Sequence, residues 1–183
     1  MAATESQMIS LGTQAPNFNL LDTLTNSKAS LNELKSDKAT VVLFICNHCP
    51  FVIHINKALA TLANKYQAMG AKFIAISSND IENYPADAPE LMTEFAKKNQ
   101  YCFPYLYDED QSVAKAYGAE CTPDIFVYDK DLKLAYRGRF DATTPNMGVA
   151  TGKDLAMALD SILENNSYEG AQVPSIGCGI KWK

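Results

Sequence analysis

A pair of cysteines separated by two residues lies where an apolar run meets a helical pattern. The segment Cys-Asn-His-Cys-Pro, residues 46–50, directly follows five apolar residues, 41–45, that predict a buried strand. Pro50 then begins a stretch with apolar residues at helical spacing, and proline is well tolerated in a first helical turn. We therefore expect Cys49 at or just before the start of a helix and Cys46 at the end of the strand.

This placement favours thiol chemistry. Unpaired backbone N–H groups and the positive end of the helix dipole stabilise a thiolate, and they lower a cysteine pKa from about 8.5 into the range of roughly 3.5–7.5. Cys49 is therefore the predicted nucleophile, with Cys46 as its intramolecular partner. A thiol in the C-terminal tail, Cys178, is the alternative resolving group. Of the other two cysteines, Cys121 is expected to be structural and Cys102 to lie in the core.

Two histidines lie close to this pair in sequence. His48, between the two thiols, is a candidate to stabilise a thiolate as imidazolium or to accept a proton, and the alternative is a half-exposed loop histidine. His54 does not share a helical face with Cys49 and is expected at the surface. Cys46 and Cys49, together with His48 or His54, could also hold Cu(I) or Zn. However, one Cys-x-x-Cys without a second pair is weak support for a structural zinc site, so no metal ligand is assigned.

Composition narrows the class of protein. With 183 residues, 47% of them hydrophobic, the chain has the size of one well-packed domain. A net charge of −5 argues against nucleic acid or an anionic membrane surface as a partner. No apolar stretch approaches the ~18 residues of a membrane helix, and no secretory signal is recognisable at the N-terminus. An odd number of scattered cysteines, five, does not suggest a disulfide framework. These features together predict a cytoplasmic protein.

The predicted elements follow the order of an α/β protein. The patterns predict strands at residues 17–21, 40–45, 73–77, 103–107, 124–128 and 132–140, the first as a strand or hairpin, and helices at about 50–69, 89–99, 112–117 and 154–163. The strands on either side of the 50–69 helix form a βαβ unit, so they are expected to be parallel. The strands 124–128 and 132–140 form an antiparallel hairpin. Arg137 and Arg139 end this hairpin and are expected to be solvated.

The last part of the chain differs from the rest. After Asn165 the sequence becomes polar and rich in glycine, yet it carries alternating apolar residues near its end. We predict one domain over residues 1–165 and a tail over residues 166–183 that lies extended against that domain or against a neighbouring subunit.

Several segments together resemble the thioredoxin superfamily. They are residues 15–20 (Ala-Pro-Asn-Phe-Asn-Leu), the strand leading into Cys-x-x-Cys-Pro, the dipeptide Thr122-Pro123 before a strand, and the terminal segment 176–183. The match is to the redoxin branch, related to peroxiredoxins of the alkyl hydroperoxide reductase/thiol-specific antioxidant group and to TlpA-like proteins. It covers roughly residues 12–183. The resemblance implies an α/β thioredoxin fold, with a central mixed sheet, helices on both faces and an N-terminal strand or hairpin extension.

The resemblance also implies roles for individual residues. Pro123 is expected to be a cis-proline that faces the active-site cysteines, which leaves the backbone of Thr122 to pair with a bound peptide or a mixed-disulfide partner. Thr122, Pro123 and His48 are therefore the candidate substrate-binding residues. A role for Arg139 near the thiolate, as in redoxins, is an alternative to a solvated charge.

The sequence departs from these families in two ways. In thioredoxins and TlpA-like proteins the first cysteine of the pair meets the helix start and the second lies one turn inside. In that alignment Cys49 takes the first position and Val52 the second, so the partner thiol is Cys46. Peroxiredoxins carry a Pro-x-x-x-Thr/Ser-x-x-Cys segment, which residues 45–56 do not supply.

The sequence therefore predicts a thiol-disulfide oxidoreductase. Cys49 attacks a disulfide, and Cys46 or Cys178 resolves the intermediate. Alternatives are a thiol-dependent, antioxidant peroxidase that acts on peroxide, a Cu(I) or Zn chaperone, and a non-catalytic binding protein. Reducing equivalents are expected from a thioredoxin-like protein or a low-molecular-weight thiol, and no organic cofactor is required because sulfur carries the electrons.

Overall fold

The computed structural model describes residues 3–183. The strands are β1 (Ala3–Glu5), β2 (Asn19–Asp22), β3 (Ser27–Ser30), β4 (Ala39–Phe44), β5 (Ala71–Ser77), β6 (Tyr105–Tyr107), β7 (Cys121–Thr122), β8 (Asp124–Asp129), β9 (Leu134–Arg137) and β10 (Ile176–Gly179). The helices are α1 (Leu31–Leu34), α2 (Pro50–Ala68), α3 (Pro89–Lys98), α4 (Ser112–Tyr117) and α5 (Lys153–Asn165), with a short 3₁₀ turn at Pro85–Asp87.

Seven strands form a central mixed sheet in the order β3-β2-β6-β5-β4-β8-β9. As predicted for the βαβ unit, β4 and β5 are parallel. The pairs β4–β8 and β8–β9 are antiparallel, which confirms the predicted hairpin. The N-terminal hairpin is also present, as β2 and β3. The sheet therefore has a parallel centre, β6-β5-β4, with antiparallel strands on both sides of it.

Helices cover both faces of this sheet. On one face, apolar residues of α2, α3 and α5 pack in one core with alternate residues of β4, such as Val41 and Leu43. On the other face, α1 and α4 form a second core with Val42 and Phe44. All six residues of β4 are buried, which explains why residues 41–44 are continuously apolar rather than alternating.

Helix α2 is the element that positions the cysteine pair. Pro50 occupies its first turn, where the missing N–H costs no hydrogen bond. Its buried side includes Val52, Leu59 and Tyr66, which follow the predicted helical spacing. Gly70 follows the helix with a φ of +103°, a backbone conformation that glycine adopts most easily.

The tail forms part of a second sheet. Strand β10 lies between β1 and β7 in a three-stranded antiparallel arrangement. The tail thus packs against the rest of the same chain. Within residues 3–183, no helix combines the length and apolar character needed to cross a membrane.

Two expectations about exposure are wrong. Arg137 was expected to be solvated but is fully buried, and its guanidinium pairs with Asp124, with one Nη2–Oδ2 distance of 3.0 Å. Its guanidinium also lies 3.8 Å from the centre of the Phe126 ring. Cys102 was expected in the core but is exposed, because the strand begins only at Tyr105 and it is Phe103 that turns inward.

Candidate active site

Cys49 is the N-cap residue of α2, as the sequence predicts. Its φ and ψ of −69° and 123° are extended, and its carbonyl accepts the Ile53 N–H at 2.9 Å, which closes the first turn of the helix. The residue exposes none of its surface. The Cys49 sulfur therefore sits at the positive end of a helix and inside the protein.

Several neighbouring polar groups lower the pKa of Cys49. Hydrogen bonding with the Cys46 thiol is the largest cause, and Cys178 and Thr122 contribute in the same direction. The backbone N–H of Val52 adds a further donor from the first turn of the helix, whereas burial acts in the opposite direction. The result is a Cys49 pKa of about 4. Thiolate is thus the stable form of Cys49 at neutral pH.

Cys46 lies beyond the end of β4 with only 1% of its surface exposed. Its Sγ is 3.4 Å from Oγ1 of Thr122. The hydrogen bond to Cys49, burial and the nearby negative charge of Asp87 raise the Cys46 pKa well above its usual range. Cys46 is therefore a thiol that stabilises the neighbouring thiolate.

His48 and Asp87 border the site on the Cys46 side. The His48 Nδ1 lies 2.8 Å from Oδ2 of Asp87, an ion-pair distance without the alignment of a hydrogen bond. The His48 ring stacks on Tyr84, with ring centres 5.8 Å apart. The fully buried Asp87 accepts the Asn47 N–H at 2.7 Å and the Asn79 side-chain amide at 2.8 Å. His48, one-quarter exposed, is fixed by these contacts at the rim of the site.

The sequence alone did not identify Asp87. It belongs to the stretch between β5 and α3, which reads only as a polar loop, and it lies 40 residues from its hydrogen-bond partner Asn47. A buried carboxylate is unusual enough to mark a site, but its burial is visible only in the structure.

Thr122 and Pro123 lie directly across from the cysteine pair. The Thr122–Pro123 bond is cis, as the resemblance predicts. The Cys49 thiol, when protonated, donates to the Thr122 carbonyl at 3.1 Å. Thr122 therefore contacts both Cys46 and Cys49, the first through its hydroxyl and the second through its backbone.

Cys178 reaches the site from the tail. In the register of β10 and β7, Cys178 is directly opposite Thr122. Burial, together with hydrogen bonding and charge from Cys49, raises the Cys178 pKa to about 12, although Lys181 acts in the other direction. The site thus contains three neighbouring thiols, one of which lies far from the others in sequence.

The residues that could hold a metal differ from the predicted set. One ligand atom each from Cys46, His48 and Asp87 lies within 4.8 Å of the others, without Cys49 or His54. Three donors are one short of the four in a structural zinc site, and both Asp87 oxygens already accept hydrogen bonds. These residues fit a metal poorly, and no step of the chemistry below depends on one.

The other candidates lie outside the cluster of thiols. His54 is half-buried, with Nε2 2.8 Å from the hydroxyl of Thr143. Cys121 is buried, and burial raises its pKa, which suits a structural role. Arg139 is partly exposed, and its Nε donates to Asp154 at 2.6 Å.

A small cavity of about 130 Å³ lies on the Pro123 side of the site. Phe51, Pro123 and Ile176 line it, and each is within two residues of Cys49, Thr122 or Cys178 in sequence. His54 and Arg139 also line it, whereas none of the cysteines does. A concave pocket that combines apolar and polar side chains is a typical place for a small ligand.

Comparisons with known proteins give a consistent result. Residues 11–137 match the sequence model of the AhpC/TSA family. Over 131 residues the chain is 26% identical to the thiol-disulfide oxidoreductase ResA of Bacillus thuringiensis subsp. konkukian, covering 72% of this chain and 70% of that protein.

Solved structures extend the comparison to the whole chain. The crystal structure of an uncharacterized conserved protein from Geobacillus kaustophilus superposes with a TM-score of 0.97 at 52% identity, covering 100% of this chain and 97% of the other. That of the peroxidoxin BcpB from Mycobacterium tuberculosis superposes with a TM-score of 0.63 at 22% identity, covering 85% and 99%. The second similarity concerns the fold alone, and it confirms the predicted thioredoxin fold.

Proposed function

The chain belongs to the AhpC/TSA family of redoxins, and from that premise we propose that it is a thiol-disulfide oxidoreductase whose attacking group is the Cys49 thiolate. The observation that supports this most directly is the position of Cys49. Its sulfur lies at the N-cap of α2, and hydrogen bonding with the thiols of Cys46 and Cys178 lowers its pKa. A sulfur with such partners at the start of a helix is stabilised as an anion.

The proposed reaction has two steps. The Cys49 thiolate attacks one sulfur of a disulfide, forms a mixed disulfide and expels the other sulfur as a thiolate. One of the two adjacent thiols, Cys46 or Cys178, then attacks the Cys49 sulfur and releases the second half of the substrate. A thioredoxin-like protein or a low-molecular-weight thiol returns the protein to the dithiol form. No organic cofactor takes part. The five cysteines are free thiols, which suits a reducing compartment such as the cytoplasm.

The cysteine segment supports disulfide over peroxide as the substrate. Peroxiredoxins carry a Pro-x-x-x-Thr/Ser-x-x-Cys segment, and residues 45–56 do not supply it. Cys49 instead belongs to a Cys-x-x-Cys pair, whose other thiol can resolve a mixed disulfide. Peroxide reduction is therefore the second candidate activity.

Alkylation kinetics test the identity of the nucleophile. The rate of iodoacetamide modification is measured against pH for the wild type, Cys49→Ser and Cys46→Ser, with the modified residue located by mass spectrometry. We expect the reaction of low pKa to be lost in Cys49→Ser and kept in Cys46→Ser. If it survives in Cys49→Ser and disappears in Cys46→Ser, the nucleophile is Cys46.

A second assay separates an enzyme from a metal carrier. Reduction of a model disulfide is followed with and without a chelator, and binding of Cu(I) and Zn²⁺ is titrated separately. We expect turnover that depends on Cys49 and does not change with the chelator. Stoichiometric tight metal binding without turnover would overturn the proposal in favour of the chaperone alternative.

A further inference from the structure

The backbone next to the Cys49 sulfur is a strand edge. Thr122, in β7, has its carbonyl 3.1 Å from that sulfur. Extended peptides bind to open strand edges because the unpaired N–H and C=O groups give them hydrogen bonds. A cysteine in a polypeptide substrate would therefore reach Cys49 most directly from a segment paired with β7.

That edge is already occupied by the tail of the same chain. Cys178 and Gly179 of β10 lie opposite Thr122 and Cys121. The Ile180 N–H continues the pairing by donating to the Glu120 carbonyl at 3.0 Å. On its other side β10 pairs with β1. The tail therefore takes the position that an incoming peptide would need.

Gly177 shows how closely the two strands approach. A Cβ atom placed on Gly177 would lie 2.0 Å from the Thr122 carbonyl oxygen, a distance that no side chain tolerates. Only glycine permits this approach of one backbone to another. Since the next residue is Cys178, which pairs with Thr122, the glycine brings Cys178 close to the Cys49 sulfur, whose pKa it lowers.

Further contacts hold the tail on both sides of β10. The Ser6 N–H donates to the Ser175 carbonyl at 2.9 Å, and the Asp80 N–H donates to the Lys181 carbonyl at 2.8 Å. The buried amide of Gln111 donates to the same carbonyl at 2.8 Å and accepts the Lys183 N–H at 2.9 Å. The strand is thus anchored before and after Cys178.

We propose that β10 is a built-in partner strand of the active site: it supplies Cys178 as the resolving thiol and restricts the substrate to low-molecular-weight disulfides. This inference rests on the proposed function of Cys49 and specifies the partner thiol and the substrate class. A protein disulfide would have to displace β10 from both β1 and β7. A small disulfide needs no such displacement, because it can approach through the cavity of about 130 Å³ that Phe51, Pro123 and Ile176 line.

The reaction balances in thiols and disulfides. The Cys49 thiolate attacks a disulfide R–S–S–R, the Cys49–S–R bond forms, and one R–S⁻ leaves and takes up a proton. The Cys178 thiol then loses its proton, its sulfur attacks the Cys49 sulfur, and the second R–S⁻ leaves and is protonated. Two protein thiols are oxidised to a Cys49–Cys178 disulfide while one R–S–S–R is reduced to two R–SH, and a dithiol reductant reverses the oxidation of the protein.

Exposure and neighbouring charge favour Cys178 over Cys46 for the second step. Cys46 is 1% exposed, is held by the Thr122 hydroxyl and lies beside the buried carboxylate of Asp87. A negative charge there opposes the loss of its proton. Cys178 is less buried, and Lys181, three residues away, favours its thiolate. The tail thiol is therefore easier to ionise for attack.

The test uses bis(2-hydroxyethyl) disulfide as the probe and the full-length protein. Reduced wild type, Cys178→Ser and Cys46→Ser are mixed at pH 8 with one equivalent of probe, quenched with acid, and mapped by mass spectrometry. We expect a Cys49–Cys178 disulfide in the wild type and in Cys46→Ser. In Cys178→Ser we expect the mixed disulfide of Cys49 with 2-mercaptoethanol to persist, with turnover under dithiothreitol reduced at least about tenfold.

The outcomes separate this inference from the proposed function. A Cys46–Cys49 disulfide in the wild type, with unchanged turnover in Cys178→Ser, would overturn the role of Cys178 while leaving Cys49 as nucleophile. Absence of any adduct on Cys49 would instead overturn the proposed function. A Cys178→Ser midpoint of denaturant unfolding within error of that of the wild type shows that the variant is folded, so that a persistent mixed disulfide reports on the second step.

A parallel measurement tests the substrate class. Insulin, a protein disulfide, is compared with the hydroxyethyl probe under the same dithiothreitol concentration. We expect the rate constant for the small disulfide to exceed that for insulin by at least about tenfold. Comparable rates would show that β10 does not exclude polypeptides. In Gly177→Ala, where β10 is displaced from β7, the preference for the small probe should decrease, whereas Gly179→Ala should keep it.

Discussion

Cys49 has a neighbouring thiol on each of two sides, and the two sides are built from different kinds of interaction. On the turn side, Cys46 is three residues away in sequence and is surrounded by side chains, His48 and the buried Asp87. On the tail side, Cys178 is brought in by backbone pairing between β10 and β7. The turn side is local and anionic, whereas the tail side depends on long-range strand pairing and has a cation, Lys181, close by.

Because the two sides differ in this way, the two partner thiols of Cys49 can have separate tasks. The Cys46 thiol is the largest cause of the low Cys49 pKa, so the turn side chiefly stabilises the nucleophile before it reacts. The tail side contributes less to that pKa but holds the thiol that is easier to ionise. We infer that activation and resolution are divided between the two sides.

The first prediction concerns the buried ion pair between Asp124 and Arg137, which helps to hold the tail in place. Asp124 binds the Arg137 guanidinium and accepts the Ser6 hydroxyl at 2.8 Å, and Ser6 in turn holds the tail at Ser175. Asp124→Asn leaves a buried, unpaired guanidinium, so we expect the free energy of unfolding to fall by about 3–5 kcal/mol. Denaturant unfolding measures this loss.

The matched control is a second arginine–aspartate pair on the surface. Arg139 and Asp154 are 34% and 28% exposed, so Asp154→Asn should cost at most about 1 kcal/mol. If Asp124→Asn and Asp154→Asn lose similar amounts of unfolding free energy, the buried pair does not stabilise the protein more than the surface pair does.

The second prediction concerns a substitution that separates β10 from β7. In Gly177→Ala the new methyl group meets the Thr122 carbonyl, and the strands must separate. We expect a loss of about 1–3 kcal/mol in unfolding free energy and faster alkylation of Cys178. Gly179→Ala is the control, because the nearest atom to its Cβ is the Thr4 hydroxyl oxygen at 3.1 Å, which belongs to a small side chain that can move. Equal losses in both variants would contradict the requirement for a close approach at Gly177.

The contrast between the two sides also shows what sequence can predict. The turn side follows from local rules: an apolar run predicts β4, Pro50 marks a helix start, and Cys49 is consequently the N-cap. These interactions join residues a few positions apart, so periodicity and proline placement are sufficient. The cis bond before Pro123 came from a family resemblance and not from such rules.

Contacts between distant residues could not be predicted in the same way. Nothing in the polar loop after β5 indicates that Asp87 lies within reach of Cys46 and His48. Arg137 at the end of a strand would normally be exposed, and its burial depends on Asp124 on the adjacent strand. The tail was predicted to lie extended, but its pairing with β7 is a matter of tertiary structure.

The third prediction compares the effect of each thiol on the nucleophile. Because the folded Cys49 pKa is about 4, its alkylation rate should be nearly constant from neutral pH down to about pH 5 and should fall about tenfold per pH unit below pH 4. Cys46→Ala removes the largest stabilising cause, so it should raise the Cys49 pKa by about one unit or more. Cys178→Ala should raise it less. A larger rise in Cys178→Ala would reverse the assignment of activation to the turn side.

The smallest expected effect comes from the charges on the two sides, which have opposite signs. Asp87 raises the Cys46 pKa, so Asp87→Asn should lower it, and the side-chain amide keeps an oxygen that can still accept the Asn47 N–H. Lys181 lowers the Cys178 pKa, so Lys181→Gln should raise it. We expect shifts of about one unit or less, at the lower end of the roughly 1–3 units seen for the closest charge pairs. Peptide-resolved alkylation with isotope-labelled iodoacetamide, in a Cys49→Ser background, measures both thiols without interference from the nucleophile. pKa shifts of the same sign at the two thiols would mean that the two sides have the same electrostatic character. The division between activation and resolution would then depend on strand geometry alone.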